Sequence, residues 1–448
     1  MFFPLLIIIF YFSISLTDLL KLYIVDKWMS LESKIGDTLI PSSDDASIYF
    51  LIPVLNEQKI IYDTYYHFSN LIKAFPQNKI VFITTEREST ESVSTKSIIE
   101  KLMIEHPNNQ IELIHYPYKE GVMAHQLNFA ISSIRATEGK KSDSLWFAVY
   151  NADSRIDAHT VNYVYSTLRN QPSDQDYCFQ QYSFFVRPTQ KKKSVIGSAS
   201  LWQCRWSLIF EIFRVLFNEK LFEITSKWGE NILRNAIELL FEKMNYVIGH
   251  GLYISNTVLK KVGDFPENTI NEDAFLGLKL NSKKIPIKAI PILERADFAP
   301  NVKVYIKQQT VWFNGPLYAF HYYSLYKKFC LSRYEKIRLL ILSFKLFLHA
   351  VYWILAPLVF LIPLLISNGN KAVYISWLLI AIFHLPVFHF FVKKMISKNC
   401  SPSEAISNAS IVHCLIFYFV HCIGPIRGLI LKATGRNNMD DKYKTERL

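Results

Sequence analysis

The stretch SLWFAVYNADSR, Ser144–Arg155, places a short apolar run directly before a polar cluster. A run of this length that is rich in aromatic residues and ends in turn residues is typical of a buried β-strand. Three similar runs precede it along the chain, at Ser47–Val54, Lys79–Thr85 and Ile111–Pro117. A helical pattern follows each of the four runs, at Glu57–Ala74, Lys96–Glu105, Met123–Arg135 and Ala158–Arg169. Strands that alternate with helices predict an α/β fold around a mostly parallel sheet with right-handed connections.

Polar residues occupy the segment after each predicted strand. These segments read PVLNEQ, TTERES, PYKEGVMAHQLN and YNADSR. In open parallel sheets, ligands bind beyond the carboxyl ends of the strands. We therefore expect the four polar clusters to meet at one edge of the sheet and to form a binding site there.

Both ends of the chain are more apolar than its middle, although half of all 448 residues are hydrophobic. A transmembrane helix needs about 20 apolar residues, and three C-terminal stretches meet this length, at about Leu339–Ile366, Val373–Val392 and Ile411–Leu431. The N-terminal run Phe2–Leu16 predicts an uncleaved membrane anchor within residues 1–25, because it has neither a basic leader nor an Ala-x-Ala site. Its charge-free part is short for a full span, so a tilted or interfacial helix is the alternative.

Basic residues predict the orientation of these helices. A basic interfacial segment at residues 317–338 precedes the first C-terminal helix, and Lys393, Lys394 and Lys398 follow the second. By the positive-inside rule, the central domain of this multi-pass membrane protein faces the cytoplasm. Three full spans would leave the basic tail, residues 432–448, on the opposite side. Either one segment lies in the membrane interface, or the last helix breaks or re-enters, for which IGPIRG, Ile423–Gly428, is the expected place.

The formal net charge of +12 fits a basic face on anionic membrane lipid. Basic residues do not interleave with aromatic ones as they do in single-strand-binding proteins, which argues against nucleic acid as a partner. The six cysteines are scattered without a Cys-x-x-Cys motif, so neither a zinc site nor a disulfide framework is indicated. The segment Ser200–Phe217 is too polar to span a membrane. It predicts interfacial helices within about residues 195–241, or else an ordinary amphipathic core helix.

Five motifs occur in order along the chain: Pro53-x-x-Asn56-Glu57, Lys119-x-Gly121 with Gln126-Leu127-Asn128, Asn151-x-Asp153, Glu272-Asp273 and Gln308-x-x-Val311-Trp312. With the apolar C-terminal segments, this order resembles the membrane-bound family 2 glycosyltransferases of the polysaccharide-synthase type. The resemblance implies a GT-A catalytic domain, Rossmann-like with a mostly parallel sheet, at residues 46–316. It also implies an N-terminal anchor and C-terminal transmembrane helices at residues 339–431, in a bacterial plasma membrane.

The same resemblance implies an inverting transfer of a hexosyl or N-acetylhexosaminyl group. The donor would be a cytosolic nucleotide sugar, and the acceptor a glycan or a lipid-linked molecule, with processive polysaccharide synthesis as one form of the reaction. A polyprenyl-phosphate sugar transferase is an alternative from the same family. A catalytically inactive scaffold subunit is a further alternative, because Asn151 and Val311 depart from the family motifs. The residues do not identify an accessory subunit.

In the family, the acid matching Asp153 holds a divalent cation. Mg²⁺ and Mn²⁺ prefer carboxylate oxygens, keep water and substrate phosphates as further ligands, and neutralise the charge of a leaving diphosphate. Asn151 replaces the first aspartate of the family triplet. Its amide can bond a ribose hydroxyl but is a weaker cation ligand than a carboxylate. A helix N-cap or an Asx turn formed by Asn151, Asp153 or Ser154 is the structural alternative.

The resemblance makes Asp273 the base that takes the proton from the acceptor hydroxyl, a role that carboxylates can perform. Glu272 would orient Asp273 or contact the acceptor. The structural alternative is a pair of acids that complements the dipole at a helix N-terminus. Gln308 and Trp312 match a Gln-x-x-Arg-Trp motif that closes over the donor diphosphate and lines the acceptor path, and Val311 stands where that motif has arginine.

The remaining predicted donor-binding residues follow the first three strands. Pro53 and Glu57 would border the base and the ribose of the nucleotide. Glu86 stands near the place where relatives read uracil with two aspartates. Lys119 would meet a phosphate as a point charge, and Asn128 completes the set of donor-binding residues.

Overall fold

The computed structural model describes residues 2–36, 46–88, 93–170, 175–186, 193–399 and 409–435. Most of the predicted basic tail, from residue 436 onward, lies outside the described residues. Seven strands form one sheet: β1 (Ile48–Pro53), β2 (Lys79–Thr85), β3 (Ile111–Tyr116), β4 (Trp146–Val149), β5 (Cys178–Val186), β6 (Leu252–Ser255) and β7 (Ile287–Asp297).

The strand order across the sheet is β3-β2-β1-β4-β6-β5-β7. Strand β1 pairs in parallel with β2 and β4, β2 pairs in parallel with β3, and β5 with β7. Strand β6 is antiparallel to both of its neighbours, β4 and β5. The predicted α/β fold with a mostly parallel sheet is therefore confirmed, and β6 is the strand that interrupts the parallel pattern.

Strand β1 shows why these apolar runs form the centre of the sheet. Its residues alternate between two hydrophobic cores, with Phe50 and Ile52 on one face and Tyr49 and Leu51 on the other. Because both faces are buried, the strand is apolar throughout instead of alternating with polar residues. The helices that follow the first four strands cover the sheet, as α2 (Ile61–Ile72), α3 (Thr95–Glu105), α4 (Met123–Glu138) and α5 (Ala158–Asn170).

Within the described part of the chain, seven further α-helices lie between β5 and the long helix that begins at Arg333. Helix α6 (Val195–Trp206) continues through a π-helical segment, Ser207–Ile212, into α7 (Phe213–Ser226). The others are α8 (Ile232–Phe241), α9 (Asn256–Val262), α10 (Glu272–Ser282), α11 (Val302–Leu317) and α12 (Ala319–Tyr326). Within the segment predicted to be interfacial, α6 is mostly buried, whereas α8 exposes apolar residues such as Ile232 and Leu240.

Among the described residues, four helical segments are long and apolar enough to cross a membrane. They comprise α1 (Phe2–Glu32), α13 (Arg333–Leu365), the continuous pair α14 (Lys371–Ile382) and α15 (Phe388–Asn399), and α16 (Ile411–Ala433). Helix α16 runs unbroken through Gly424 and Pro425, so the predicted break at Ile423–Gly428 does not occur. The Thr310 hydroxyl, which lies 2.9 Å from the Ile306 carbonyl of its own helix, also lies 3.2 Å from the Gly424 carbonyl, so α11 contacts α16 at this place.

A buried ion pair joins the N-terminal helix to α6. The Arg205 guanidinium contacts the Asp18 carboxylate at 2.7 Å, and both side chains are 2% exposed. Arg205 also donates a 2.7 Å hydrogen bond to the His384 carbonyl, which lies between α14 and α15. Asp18 thus has a partner inside the protein, and α1 extends past it to Glu32. The prediction that α1 is short for a full span counted only its charge-free residues, whereas the helix continues past the paired Asp18.

Candidate functional site

The paired acids Glu272 and Asp273 are the first two residues of helix α10, and Asn271 is its N-cap residue. Glu272 is 1% exposed, and Asp273 is half-buried. The Asp273 carboxylate accepts a 2.7 Å hydrogen bond from the Ala274 backbone N–H. Both acids therefore complement the positive end of the helix. This structural role and a role in catalysis are compatible, because only one oxygen of Asp273 is used by that bond.

A glycine faces the two carboxylates across a small open space. A Cβ atom built on Gly249 would lie 3.6 Å from Asp273 Oδ2 and 3.8 Å from Glu272 Oε1. Leu252 of β6 and Val149 at the end of β4 line the same space. Met123 Cε would lie 3.4 Å from the same Cβ, so the absence of a side chain at position 249 lets this backbone segment pack closely against both carboxylates.

Gln180 fixes the segment that carries this glycine. Its Oε1 accepts a 3.0 Å hydrogen bond from Ile248 N–H, and its Nε2 donates a 2.8 Å hydrogen bond to the His250 carbonyl. Gly251 follows with φ +70°, and a Cβ there would lie 2.5 Å from the Gln181 carbonyl oxygen. Only glycine fits this left-handed and crowded position. The segment Ile248–Gly251, which lies opposite the carboxylates, is therefore fixed by its contacts with β5.

Sequence reasoning missed a charged pair next to this segment. His250 Nδ1 lies 2.9 Å from Glu294 Oε2 in β7, and Glu294 is 1% exposed. Burial alone disfavours the charged imidazole, but Glu294, Asp153 and Glu211 together raise the pKa of His250 to about 9. The imidazolium is therefore the form present at neutral pH, within electrostatic reach of Asp153. The available signals were a histidine between two glycines and an acid within an apolar strand.

Asn151 and Asp153 lie in the turn directly after β4. The Asn151 N–H donates a 3.1 Å hydrogen bond to Ser154 Oγ, and Ser154 N–H donates one of 3.1 Å to the Asn151 carbonyl. Arg155 braces the turn by donating to the Ala152 and Ser154 carbonyls. The segment is thus a turn closed by the Asn151 backbone and the Ser154 side chain, and it holds Asp153 half-buried at the sheet edge.

The fit of a divalent cation to this turn depends on ligands from outside the protein. The described residues contain no group of three or more His, Cys, Asp or Glu side chains that could hold a metal ion. Mg²⁺ commonly binds through one or two carboxylates together with water and substrate phosphates. Asp153 supplies one carboxylate of this kind, so a cation at this turn would need its other ligands from water and from a bound phosphate.

The predicted donor-binding residues after β2 and β3 lie close to each other. Glu86 is exposed, and its Oε1 lies 2.7 Å from His115 Nε2 on the neighbouring strand. This hydrogen bond, with His115 and Lys119 nearby, holds the pKa of the Glu86 carboxyl below its usual value. Lys119 itself is exposed in the loop after β3. Glu86 and Lys119 therefore place a negative and a positive charge at the ends of β2 and β3.

Asn128 has a different set of contacts from the other donor-binding candidates. Its Nδ2 donates hydrogen bonds of 2.8 Å to the Phe265 carbonyl and to Glu267, and its Oδ1 accepts one of 3.1 Å from Phe265 N–H. The amide thus fixes the segment that leads to Glu272. The structure places Asn128 in support of the paired acids, and a direct contact with the donor stays a prediction.

Pro53 and Glu57 follow β1 at the same edge of the sheet. Pro53 ends the strand in register with Ile83 of β2. Glu57 is 4% exposed, and its backbone N–H donates a 3.0 Å hydrogen bond to Thr95 Oγ1. These contacts anchor the segment after β1 to the start of α3. Neither contact tests the predicted roles beside the base and the ribose.

Gln308, Val311 and Trp312 lie on helix α11. Trp312 is 37% exposed, whereas Val311 packs against the hydrophobic core that includes α10. The apolar side chain at position 311 is therefore part of the packing. Helix α11 rests against α16, where Tyr305 Oη and His421 Nδ1 lie 2.8 Å apart.

A large cavity connects the paired acids with the candidate membrane helices. It contains about 950 Å³ of space not filled by protein atoms, part of it open to solvent. Its lining includes Asp273, His250, Trp312, Trp353 and His421. Of the predicted site residues, Asp273 and Trp312 line this cavity, and Glu272 lies beside Asp273 at the small space next to Gly249. The other predicted site residues do not line it: Pro53, Glu57, Glu86, Lys119, Asn128, Asn151, Asp153 and Gln308.

Comparisons with known proteins give only distant similarity. No family model matches the sequence, and no curated protein matches it. A solved structure of the mannosyltransferase PcManGT from Pyrobaculum calidifontis, in complex with GDP-Man and Mn²⁺, is 12% identical with a TM-score of 0.49, covering 94% of this chain and 98% of that one. A structure of S. aureus TarS 1–349 with UDP-GlcNAc is 11% identical with a TM-score of 0.39, covering 87% and 92%. Similarities below a TM-score of 0.5 do not assign a function here.

Proposed function

We propose that the chain is a membrane-bound glycosyltransferase with a GT-A fold that belongs to family 2. It would transfer a hexosyl or N-acetylhexosaminyl group with inversion from a nucleotide sugar to a glycan or lipid-linked acceptor. The observation that supports this most is the pair Glu272 and Asp273, which opens α10 beside the space left by Gly249. The pair adjoins the carboxyl end of β4, where Asp153 follows.

In this proposal Asp273 is the general base. Its carboxylate accepts the proton of the acceptor hydroxyl while that oxygen attacks the anomeric carbon, and the bond from that carbon to the diphosphate breaks on the opposite side. A positioned base of this kind contributes about 10²–10⁴-fold to a rate. Glu272 is more deeply buried and orients the acceptor hydroxyl toward Asp273.

A bound cation would balance the negative charge of the donor. Asp153, with the Asn151 amide beside it, would hold Mg²⁺ or Mn²⁺, and that cation would neutralise the charge of the leaving diphosphate. The imidazolium of His250 lies near Asp153, but its charge is paired with Glu294. Lys119 and Glu86 would contact the nucleotide further along the sheet edge.

The same proposal places the protein in a membrane through α1, α13, the α14–α15 pair and α16. Basic residues lie on the domain side of α13 and in the second half of α15, so the catalytic domain faces the cytoplasm. Nucleotide sugars are then delivered from the cytosol. The cavity that Asp273 lines is bounded by α13 and α16 through Trp353 and His421, which puts the acceptor path next to the membrane helices.

The test is donor hydrolysis by the full-length protein purified in detergent. A panel of UDP-, GDP- and TDP-sugars is offered with Mg²⁺ or Mn²⁺, and released nucleotide is measured. We expect cation-dependent release from one donor, reduced by about 10² or more in Asp273→Asn. Asp157→Asn is the matched control, because Asp157 is exposed. Equal release by Asp273→Asn and wild type would refute the assignment of the base.

A catalytically inactive scaffold subunit is the second candidate. Asn151 in the turn after β4 and Val311 within the core packing favour it, since both differ from residues that bind a cation or a phosphate in the family. The same panel separates the two functions. A scaffold binds a nucleotide without hydrolysing any donor, even when glycan and lipid acceptors are supplied.

A further inference from the structure

The paired acids lie between two walls, helix α10 and the facing segment, Glu242–Gly251. Residues 242–248 of the facing segment belong to neither a helix nor a strand. The two walls are in close contact, since a Cβ built on Gly277 of α10 would lie 3.0 Å from Val247 N and 3.1 Å from the Asn245 carbonyl oxygen. A segment without a regular ladder of backbone hydrogen bonds depends on other contacts for its position.

Arg338 of α13 contacts both walls with one side chain, which is 1% exposed. Its Nη2 lies 2.5 Å from Glu242 Oε1, at the start of the facing segment. Its Nε donates a 3.1 Å hydrogen bond to the Asn281 carbonyl, near the end of α10. Because a guanidinium holds its N–H groups in a rigid planar fork, this side chain sets the distance between Glu242 and Asn281.

The Asn281 side chain extends this connection along the facing segment. Its Nδ2 donates a 2.9 Å hydrogen bond to the Asn245 carbonyl and one of 2.6 Å to the Gly277 carbonyl of its own helix. Arg338 therefore holds the Asn281 backbone, and the Asn281 side chain holds Asn245. Gly249, which faces Asp273, follows Asn245 in the same segment.

Two further residues of α13 hold the facing segment. Lys345 Nζ donates a 2.6 Å hydrogen bond to the Glu242 carbonyl, and His349 Nδ1 lies 2.5 Å from Tyr246 Oη. Residues 338, 345 and 349 are spaced by seven and by four positions, which places them on one face of a helix. This face of a candidate membrane helix is therefore polar because it meets the facing segment.

Stability alone does not account for the buried pair Arg338–Glu242. A buried ion pair often stabilises a protein no more than apolar residues of similar volume do. Among the described residues, Arg338 Nη1 and Glu242 Oε2 are also buried without a hydrogen-bond partner, which reduces the net gain from the pair. The pair supplies a fixed geometry between three elements, α13, α10 and the facing segment.

We propose that Arg338 is a positioning residue that fixes the facing segment against α10 and so sets the gap in front of Asp273. This inference rests on the proposed glycosyltransferase function, in which Asp273 is the base. Arg338 acts on the site through Glu242 and Asn281. The first long C-terminal helix therefore takes part in assembling the active site.

The main test replaces the ion pair by apolar residues, as Arg338→Met together with Glu242→Leu, in the full-length protein in detergent. This double variant should keep the thermal unfolding midpoint of the wild type, because neither partner is left behind as an unpaired buried charge. We expect its kcat for donor hydrolysis to fall about tenfold or more at an unchanged donor KM, since small displacements in an active site slow the chemical step. The kcat is expressed per nucleotide-binding site, counted by titration with the nucleoside diphosphate of the donor, so that unfolded protein does not enter the rate.

Arg333→Met is the matched control, because Arg333 is an exposed arginine at the start of the same helix. Arg338→Lys keeps a positive charge opposite Glu242 but loses the guanidinium fork, so we expect it to fold and also to lose kcat. It serves if the double variant does not fold. A wild-type kcat per site in the double variant, or in Arg338→Lys where the double variant does not fold, overturns the inference.

Hydrogen exchange of backbone amides tests the inference without catalysis. Peptides that cover Glu242–Gly251 should exchange faster in the double variant, or in Arg338→Lys, than in the wild type, whereas peptides from α3 should not change. If the wild type hydrolyses no donor, the proposed function fails, and faster exchange in the facing segment still supports the positioning role of Arg338. Unchanged exchange in that segment overturns this role whether or not the protein is an active enzyme.

Discussion

Substituting alanine for Gly424 tests whether contact with α16 sets the position of α11. A Cβ at Gly424 would lie 2.5 Å from the Gln309 Cβ and 2.9 Å from the Ile306 carbonyl oxygen. Carbon atoms pack at about 3.5–4.0 Å, so the two helices must separate by roughly 1 Å. Helix α11 carries Gln308 and Trp312, and an error of about 1 Å in an active site can reduce a rate about 10²-fold.

The expected effects decrease from Gly424 to Gly428 to Ile430 along α16. Gly424→Ala should lower sugar transfer about 10²-fold and destabilise the protein by about 1–3 kcal/mol, which is the usual cost of overpacking. Gly428→Ala should have a smaller effect, because its Cβ would meet the Phe313 side chain at 3.0 Å but would stay 3.6 Å from the nearest α11 backbone atom, the Thr310 carbonyl oxygen. Ile430→Ala is the control, since Ile430 is 57% exposed.

Transfer of radiolabelled sugar and thermal unfolding in detergent measure these effects. If Gly424→Ala keeps both the transfer rate and the unfolding midpoint of the wild type, α11 is not held by this contact. If the midpoint falls while transfer is unchanged, the packing argument holds but α11 does not position groups for the reaction.

Three further predictions follow from the site and the buried charges. Gly249→Ala should fold normally, whereas Gly249→Val should lower transfer at least about tenfold by filling the space before Asp273, as measured by transfer assays. The raised pKa of His250 implies a stabilisation, on the order of 3 kcal/mol, that is complete below about pH 6.5 and lost as the pH rises through about 9. The gap between the unfolding midpoints of wild type and His250→Gln should therefore close by pH 10, and a constant gap would contradict this. Asp18→Leu alone should cost about 3–5 kcal/mol, and adding Arg205→Leu should restore most of it in thermal unfolding.

Strands β1 to β4 could be predicted because each is a short, continuous apolar run that can be recognised from the local sequence. The predicted run Lys79–Thr85 coincides with β2, and the other three predictions differ from β1, β3 and β4 by a few residues at their ends. Their residues are apolar because both faces are buried. Strand β7 was not predicted, since Lys288, Glu294 and Arg295 interrupt its apolar pattern. Glu294 can be buried in this strand because it pairs with His250, which is distant in sequence.

The site was predictable only where chemistry and local position coincide. Asp153 and the acids Glu272 and Asp273 follow a strand end or open a helix, so the sequence indicates where they lie. His250 and Glu294 are 44 residues apart, and Glu211 reaches the cavity from a helix that was predicted to be interfacial. Such residues depend on tertiary contacts that no local pattern contains. The same holds for Gly424, whose contact with α11 spans over a hundred residues of sequence.

The Asp18–Arg205 pair has a consequence for how the chain is made. The two residues are 187 positions apart, and protein synthesis proceeds at about 5–20 residues per second, so Asp18 waits about 10–40 s for its partner. During that time α1 carries Asp18 paired with Lys21 of the same helix, at 2.9 Å, and such a charged pair still disfavours residence in lipid. In the membrane arrangement proposed above, secure insertion of the first helix is completed only after α6 has been translated. A ribosome-bound chain that ends before Arg205 would hold its first helix in the membrane less firmly than one that ends after it.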